Sequence, residues 1–121
     1  MLAAQYRLRD RKRLNDTVRR GRRAGRRDLV VHYLAPDSSR ESTSAAGGQQ
    51  PPGVAFAVSR AVGGSVVRHR VTRRLRHVMM SHIQQLPPGS SVMVRALPPA
   101  ADASSADLDR ELSALIRRVV G

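Results

Sequence analysis

The chain has 121 residues, 22 Lys and Arg against 9 Asp and Glu, and a formal net charge of +13 with a pI near 11.9. That length suits one domain, 1–121, and the charge draws it to polyanions. With no cysteine, disulfides, thiolate catalysis and cysteine zinc sites are excluded, and no apolar run approaches the roughly 20 residues of a membrane span. A single Phe, two Tyr and no Trp leave an aliphatic core as the expectation.

Residues 7–20, RLRDRKRLNDTVRR, read as a basic helix with Leu8, Leu14 and Val18 as sparse apolar positions and Gly21 as its stop. Arginines continue to Arg27, so that 27 residues hold 11 of the 22 positive charges. Such a run is otherwise a solvated arm. DLVVHYLA, 28–35, is β-branched and apolar, as a strand is. Ser, Gly, Gln and Pro dominate 36–52, which reads as a disordered hairpin loop. GVAFAVSRAV, 53–62, is a second strand, bent or broken near Arg60.

A long helix follows over 65–86, with Ser65 as candidate cap and PPG at 87–89 as its end. SSVMVRALP, 90–98, is a third strand, and 104–120 a last helix with acids early and Arg117 and Arg118 late, as the helix dipole prefers. With room for one more short strand, the order is α-β-β-(β)-α-β-α. This is an α+β fold, a mainly antiparallel sheet of about four strands packed with helices.

On a wheel of about 100° per residue, Val67, Val71, Leu75, Val78, Met79 and Leu86 share one arc of the 65–86 helix. Arg70, Arg73, Arg74, Arg76 and His77 occupy the opposite arc, with His69 beside them. Arg68 stands near the apolar edge in the first turn, where it could reach over the helix N-terminus beside Gly63 and Gly64. Free N–H groups there attract phosphate, and Arg68, His69 and Arg70 would complete a clamp. An ordinary surface helix mixes signs; 66–86 contains no acid.

The residues SRAVGGSVVRHRVTRRLRH resemble the signature of the bacterial ribonuclease P protein subunit, with Val62, Gly63, Val66, Arg68, Arg70, Arg73, Arg74 and Arg76 in place. YRLRDRKRLNDTVRRG resembles that family's opening, through Arg7, Leu8 and Gly21, and VMVRALP its late strand. The resemblance implies a fold like the second domain of ribosomal protein S5, with a left-handed crossover. It also implies a protein in the cytoplasm that assists a catalytic RNA. That RNA, using magnesium, would remove the 5′ leader of precursor tRNA, and the protein would supply no catalytic residue and bind no metal or other cofactor of its own.

By the same resemblance, Arg68, His69, Arg70, Arg73, Arg74 and Arg76 face the catalytic RNA. Arg7, Arg9, Leu14, Val18, His32, Ser59 and Arg60 would hold the leader in a cleft between the first helix and the sheet. No membrane and no obligate protein partner are implied. The chain departs from the pattern at His69, usually Asn; at Thr72, usually Lys; at Leu14 and Val18, often aromatic; and at His32, often Tyr. Bases stack on aromatics at about 1–3 kcal/mol each, so this cleft should stack weakly and lean on arginine.

Three other functions compete. A basic nucleic-acid-binding protein of ribosome or nucleoid fits the composition, but no aromatic single-strand motif or helix-turn-helix is present. A self-sufficient nuclease wants clustered carboxylates. The nine acids are scattered, and His69, His77 and His82 have no acid close in sequence. A membrane-surface helix would want Trp or Phe anchors that 65–86 lacks.

Overall fold

The computed structural model describes residues 3–36 and 51–121. It contains α1 (Arg11–Arg20), β1 (Arg22–Gly25), β2 (Leu29–Leu34), β3 (Gly53–Ala57), α2 (Ser65–Met79), β4 (Ser91–Ala96) and α3 (Ser105–Val120), with short 3-10 turns at Ala4–Tyr6, Ile83–Gln85 and Pro98–Asp102.

The four strands form one sheet in the order β1-β2-β4-β3. β1 pairs antiparallel with β2, and β2 antiparallel with β4. β3 and β4 run parallel. The α+β expectation holds, and β1 is the additional short strand. It lies in GRRAGRR, where charge alone suggested an arm; Ala24 is buried between exposed arginines, and the ladder to β2 orders them. The loop between β2 and β3 does not close a hairpin, because β4 lies between them. β4 can enter there because α2 carries the chain back over the sheet, as a parallel pair requires. The disorder expected of 36–52 falls mostly outside the described residues.

α2 and α3 cover one face. Leu29, Val31, Val92 and Val94 from the sheet meet Val71, Leu75 and Met79 of α2 and Leu108, Leu112, Leu115 and Ile116 of α3 there, all essentially inaccessible. This core is aliphatic, as composition required; Tyr33 is its one deeply buried aromatic. α1 lies against the other face. Its Arg13 guanidinium donates to Ser91 Oγ and, at 2.5 Å, to the Gly89 carbonyl.

Several ends differ from the sequence reading for local reasons. α1 starts at Arg11 because Asp10 caps it, accepting from Lys12 N at 3.0 Å and Arg13 N at 3.4 Å. Residues 7–9 precede the helix and are not part of it. Leu8 N donates to Val54 O at 2.9 Å, and Arg7 bridges to Val54, adding a short parallel pairing on the free edge of β3. The cap of α2 is Gly64, with Ser65 already inside the helix. α2 ends at Met79, so Leu86 belongs to the descent toward Pro87. There His82 Nδ1 accepts from Gln85 at 3.1 Å and Nε2 donates to Asp109 at 2.6 Å, tying this descent to α3. His82 therefore has an acid partner, 27 residues on, and is buried.

Candidate nucleic-acid interface

α2 carries three ridges. Val71, Leu75, Val78 and Met79 point into the core. His69, Arg73 and His77, spaced four apart, form the exposed ridge. The other arginines are half-buried on its flanks. On one side Arg70 donates to Ala101 O at 3.4 Å and Arg74 to Ala103 O at 2.8 Å, so both lean on the turn before α3. On the other side Arg68, Thr72 and Arg76 follow one another at i, i+4, i+8; Thr72 Oγ1 donates to Arg68 O at 2.8 Å.

The basic row is thus wider than a single arc. Nε of both Arg68 and Arg70 is buried without a hydrogen-bond partner. The two glycines before α2 act differently. A Cβ on Gly63 would lie 2.8 Å from Val67 Cβ, so its bareness serves packing; Gly64 faces open space.

A cleft of 590 Å³ runs between α1 and the sheet. Leu14, Asn15, Val18 and Arg19 form its α1 wall, and Ala55, Ala57 and Met93 its floor, with the Phe56 side chain between them turned to the other face of the sheet. Leu14 and Val18 fall where the sequence placed them. Arg7 and Arg9 line a neighbouring groove of 340 Å³ with Leu8, Thr72 and Arg76. Ala55 and Phe56 border both spaces, so the two wrap around β3. The α2 flank and the N-terminal arginines therefore meet on that groove.

His32 does not line the cleft. It is buried on the sheet between Arg23 of β1 and Met93 of β4. Burial, then the charges of Arg95 and Arg23, lower its pKa and favour neutral imidazole. Its Nδ1 has no partner. Ser59 and Arg60 are exposed in the turn after β3, where Ser59 Oγ accepts from Ala61 N at 3.3 Å. They shape the approach to α2 and line neither space.

Phe56 is the residue that sequence reading missed. It is the single phenylalanine of the chain, half-buried, and strand alternation turns it with Val54 to the core face of the sheet, where it borders the groove lined by Thr72 and Arg76. Its uniqueness in an aromatic-poor chain was a usable signal. Asn15 and Arg19 could have been found by helical spacing from Leu14 and Val18.

Acids near these surfaces have other work. Asp107 and Ser104 form a reciprocal cap on α3, and those hydrogen bonds, with Arg110 behind them, lower the Asp107 pKa. Glu111 accepts from Asp28 N at 3.0 Å; burial and the neighbouring Asp28 carboxyl raise its pKa. Among the described residues, no group of three or more His, Asp or Glu comes together so as to hold a metal ion, and no helix is long and apolar enough to cross a membrane.

The family model for ribonuclease P matches residues 2–120. The chain is 50% identical over 121 residues to the ribonuclease P protein component of Streptomyces griseus, covering all of this chain and 97% of that one. It is 48% identical over 119 residues to that of a Nocardioides species, covering 98% and 95%. The RNase P protein of Staphylococcus aureus superposes with a TM-score of 0.74 at 19% identity, over 96% of this chain and 98% of that one. That of Thermotoga maritima gives 0.73 at 18%, over 95% and 98%. With a fold shared across such divergence and full-length matches near half identity, the chain belongs to the ribonuclease P protein family.

Proposed function

We propose that this protein serves tRNA 5′ maturation by holding two RNAs at once. The α2 face grips the catalytic RNA, and the cleft between α1 and the sheet receives the single-stranded 5′ leader of precursor tRNA. The observation that carries the reading is a juxtaposition. An acid-free helix with arginines on its exposed ridge and both flanks stands beside a cleft walled by Leu14 and Val18, and the groove of Arg7, Arg9 and Arg76 joins them.

Division of labour follows from chemistry. Phosphodiester hydrolysis by metal ions needs convergent carboxylates or their equivalent. Here Asp10 and Asp107 cap helices, Asp109 pairs with His82, and Glu111 pairs with the Asp28 backbone. The RNA would supply the metal sites, with magnesium as its ion. The protein would lower the magnesium needed by replacing part of the countercharge on phosphate. Placement in the cytoplasm, beside nascent tRNA, belongs to the same proposal.

The test is precursor-tRNA cleavage at low magnesium by a bacterial ribonuclease P RNA, alone and with this protein. Stimulation by wild type, lost in the triple variant Arg68→Ala, Arg70→Ala, Arg73→Ala, supports the assignment. Binding to RNA without stimulation overturns it in favour of a general polyanion binder.

A further inference from the structure

A second basic region wraps the β1 edge of the sheet, with Arg22 turned to the α3 side and Arg23 to the α1 side. The C-terminal turn of α1 brings Arg19 and Arg20, β1 brings Arg22 and Arg23, and the C-terminal turn of α3 brings Arg117 and Arg118. All six are exposed. Two contacts fasten these three elements together. Arg22 Nη1 donates to Val119 O at 3.1 Å, which brings the start of β1 against the end of α3. Gly21 approaches the Tyr33 carbonyl so closely that an added Cβ would lie 2.3 Å from it, which presses the end of α1 onto β2 beside Arg22.

The charge here is segregated along the molecule. α3 carries Asp107, Asp109 and Glu111 in its first half and Arg117 and Arg118 in its last turn. Asp28, held by Glu111, lies past the far end of β1, and Arg22 opens the near end. One edge of the protein thus runs from an acidic end with compensating Arg26, Arg27 and Arg110 to an end where arginines gather. The acid nearest the gathered arginines in sequence is Asp16, one turn back on α1.

Helix dipoles favour a base at each C-terminus separately. They do not require two such termini and an arginine strand to be packed together, which costs self-repulsion that a bound polyanion would relieve. The face also lies at the opposite sheet edge from the β3 groove that Thr72 and Arg76 of α2 line. β1 and β3 occupy opposite edges with two strands between, about 14 Å at the usual strand spacing. Arg70 and Arg74 lean toward the acidic end of α3, against Ala101 and Ala103.

We infer that the face formed by Arg19, Arg20, Arg22, Arg23, Arg117 and Arg118 is a separate docking surface for the phosphate backbone of a base-paired RNA segment, other than the segment held by α2. No aromatic is exposed among these residues, so base stacking has no platform there, and guanidinium contacts to phosphate are what it offers. This inference rests on the proposed role in the RNA complex.

The absence of cysteine permits a clean test. Single variants Arg118→Cys, Arg73→Cys and Asp102→Cys would each carry a tethered hydroxyl-radical source in the complex of full-length protein, catalytic RNA and precursor tRNA. Expected are strand cuts from position 118 in a paired segment distinct from those cut from position 73, and no comparable cuts from 102. The variant Arg20→Gln, Arg23→Gln, Arg117→Gln, Arg118→Gln, which leaves Arg19 of the leader cleft in place, should bind the RNA about tenfold more weakly. Its log-affinity against log-salt slope should be shallower by about 0.9 for each phosphate that it no longer neutralises. Cuts from 73 with none from 118, or a quadruple variant with unchanged affinity and slope, overturn the second face and leave the α2 assignment standing. Wild type that forms no stimulating complex overturns the assignment itself.

Discussion

Gly21 has an ordinary φ of −72°, so its conformation would suit any residue. Its need for a bare Cα is spatial, because a Cβ would press on the Thr17 and Tyr33 carbonyl oxygens at 2.4 and 2.3 Å. Both are backbone atoms and cannot swing aside. Gly21→Ala should therefore destabilise the fold by about 2–3 kcal/mol, read as a lower urea midpoint. Glu111 poses a titration question. Its raised pKa means that folding favours the protonated form. The contribution of this group is best at pH below the ordinary glutamate value and declines as pH rises through the raised one. Glu111→Gln keeps an acceptor for Asp28 N and removes that decline. Its stability relative to wild type should rise between pH 4 and pH 7 in parallel denaturation series, and a constant difference would refute the assignment.

Elements explain why residues of one type part company in role. Arg73 and Arg74 are neighbours in sequence, yet Arg74 is spent on the Ala103 carbonyl and Arg73 faces solvent. Arg74→Ala should cost about 1 kcal/mol of stability by urea titration. Arg73→Ala should leave stability within about 0.5 kcal/mol and weaken RNA binding instead. The wheel places both on one arc, because a helical period records direction from the axis and not what each direction meets. The cleft makes a similar point. Its α1 wall is aliphatic at Leu14 and Val18, and its floor of Ala55, Ala57 and Met93 is aliphatic too. Leader affinity, measured with a labelled single-stranded oligonucleotide in the complex, should rise in Leu14→Phe, since an aromatic face adds about 1–3 kcal/mol of stacking. No gain from Leu14→Phe would count against weak stacking as the property of this wall.

At the scale of the whole molecule, a net charge of +13 makes salt the governing variable. If six phosphates are neutralised, affinity for the RNA should drop by about a thousandfold between 50 and 200 mM monovalent salt, measured by filter binding. A change of only a fewfold would mean that most arginines face solvent alone.

The local properties were legible in sequence by themselves. Apolar periodicity located α2 and α3, β-branched runs located β2 and β4, and charge with a long arginine motif pointed to RNA and to a family. Each of these rests on residues within a turn or a strand of one another. Tertiary structure alone decided that β4 slips between β2 and β3, that GRRAGRR pairs as β1, that residues 7–9 lie along β3, and that His32 is buried beside the cleft instead of lining it. Each of those outcomes depends on a partner distant in the chain: strand pairing and burial are settled by which surfaces meet. The gathering of arginines from α1, β1 and α3 is of that second kind, since no stretch of the sequence holds all six together.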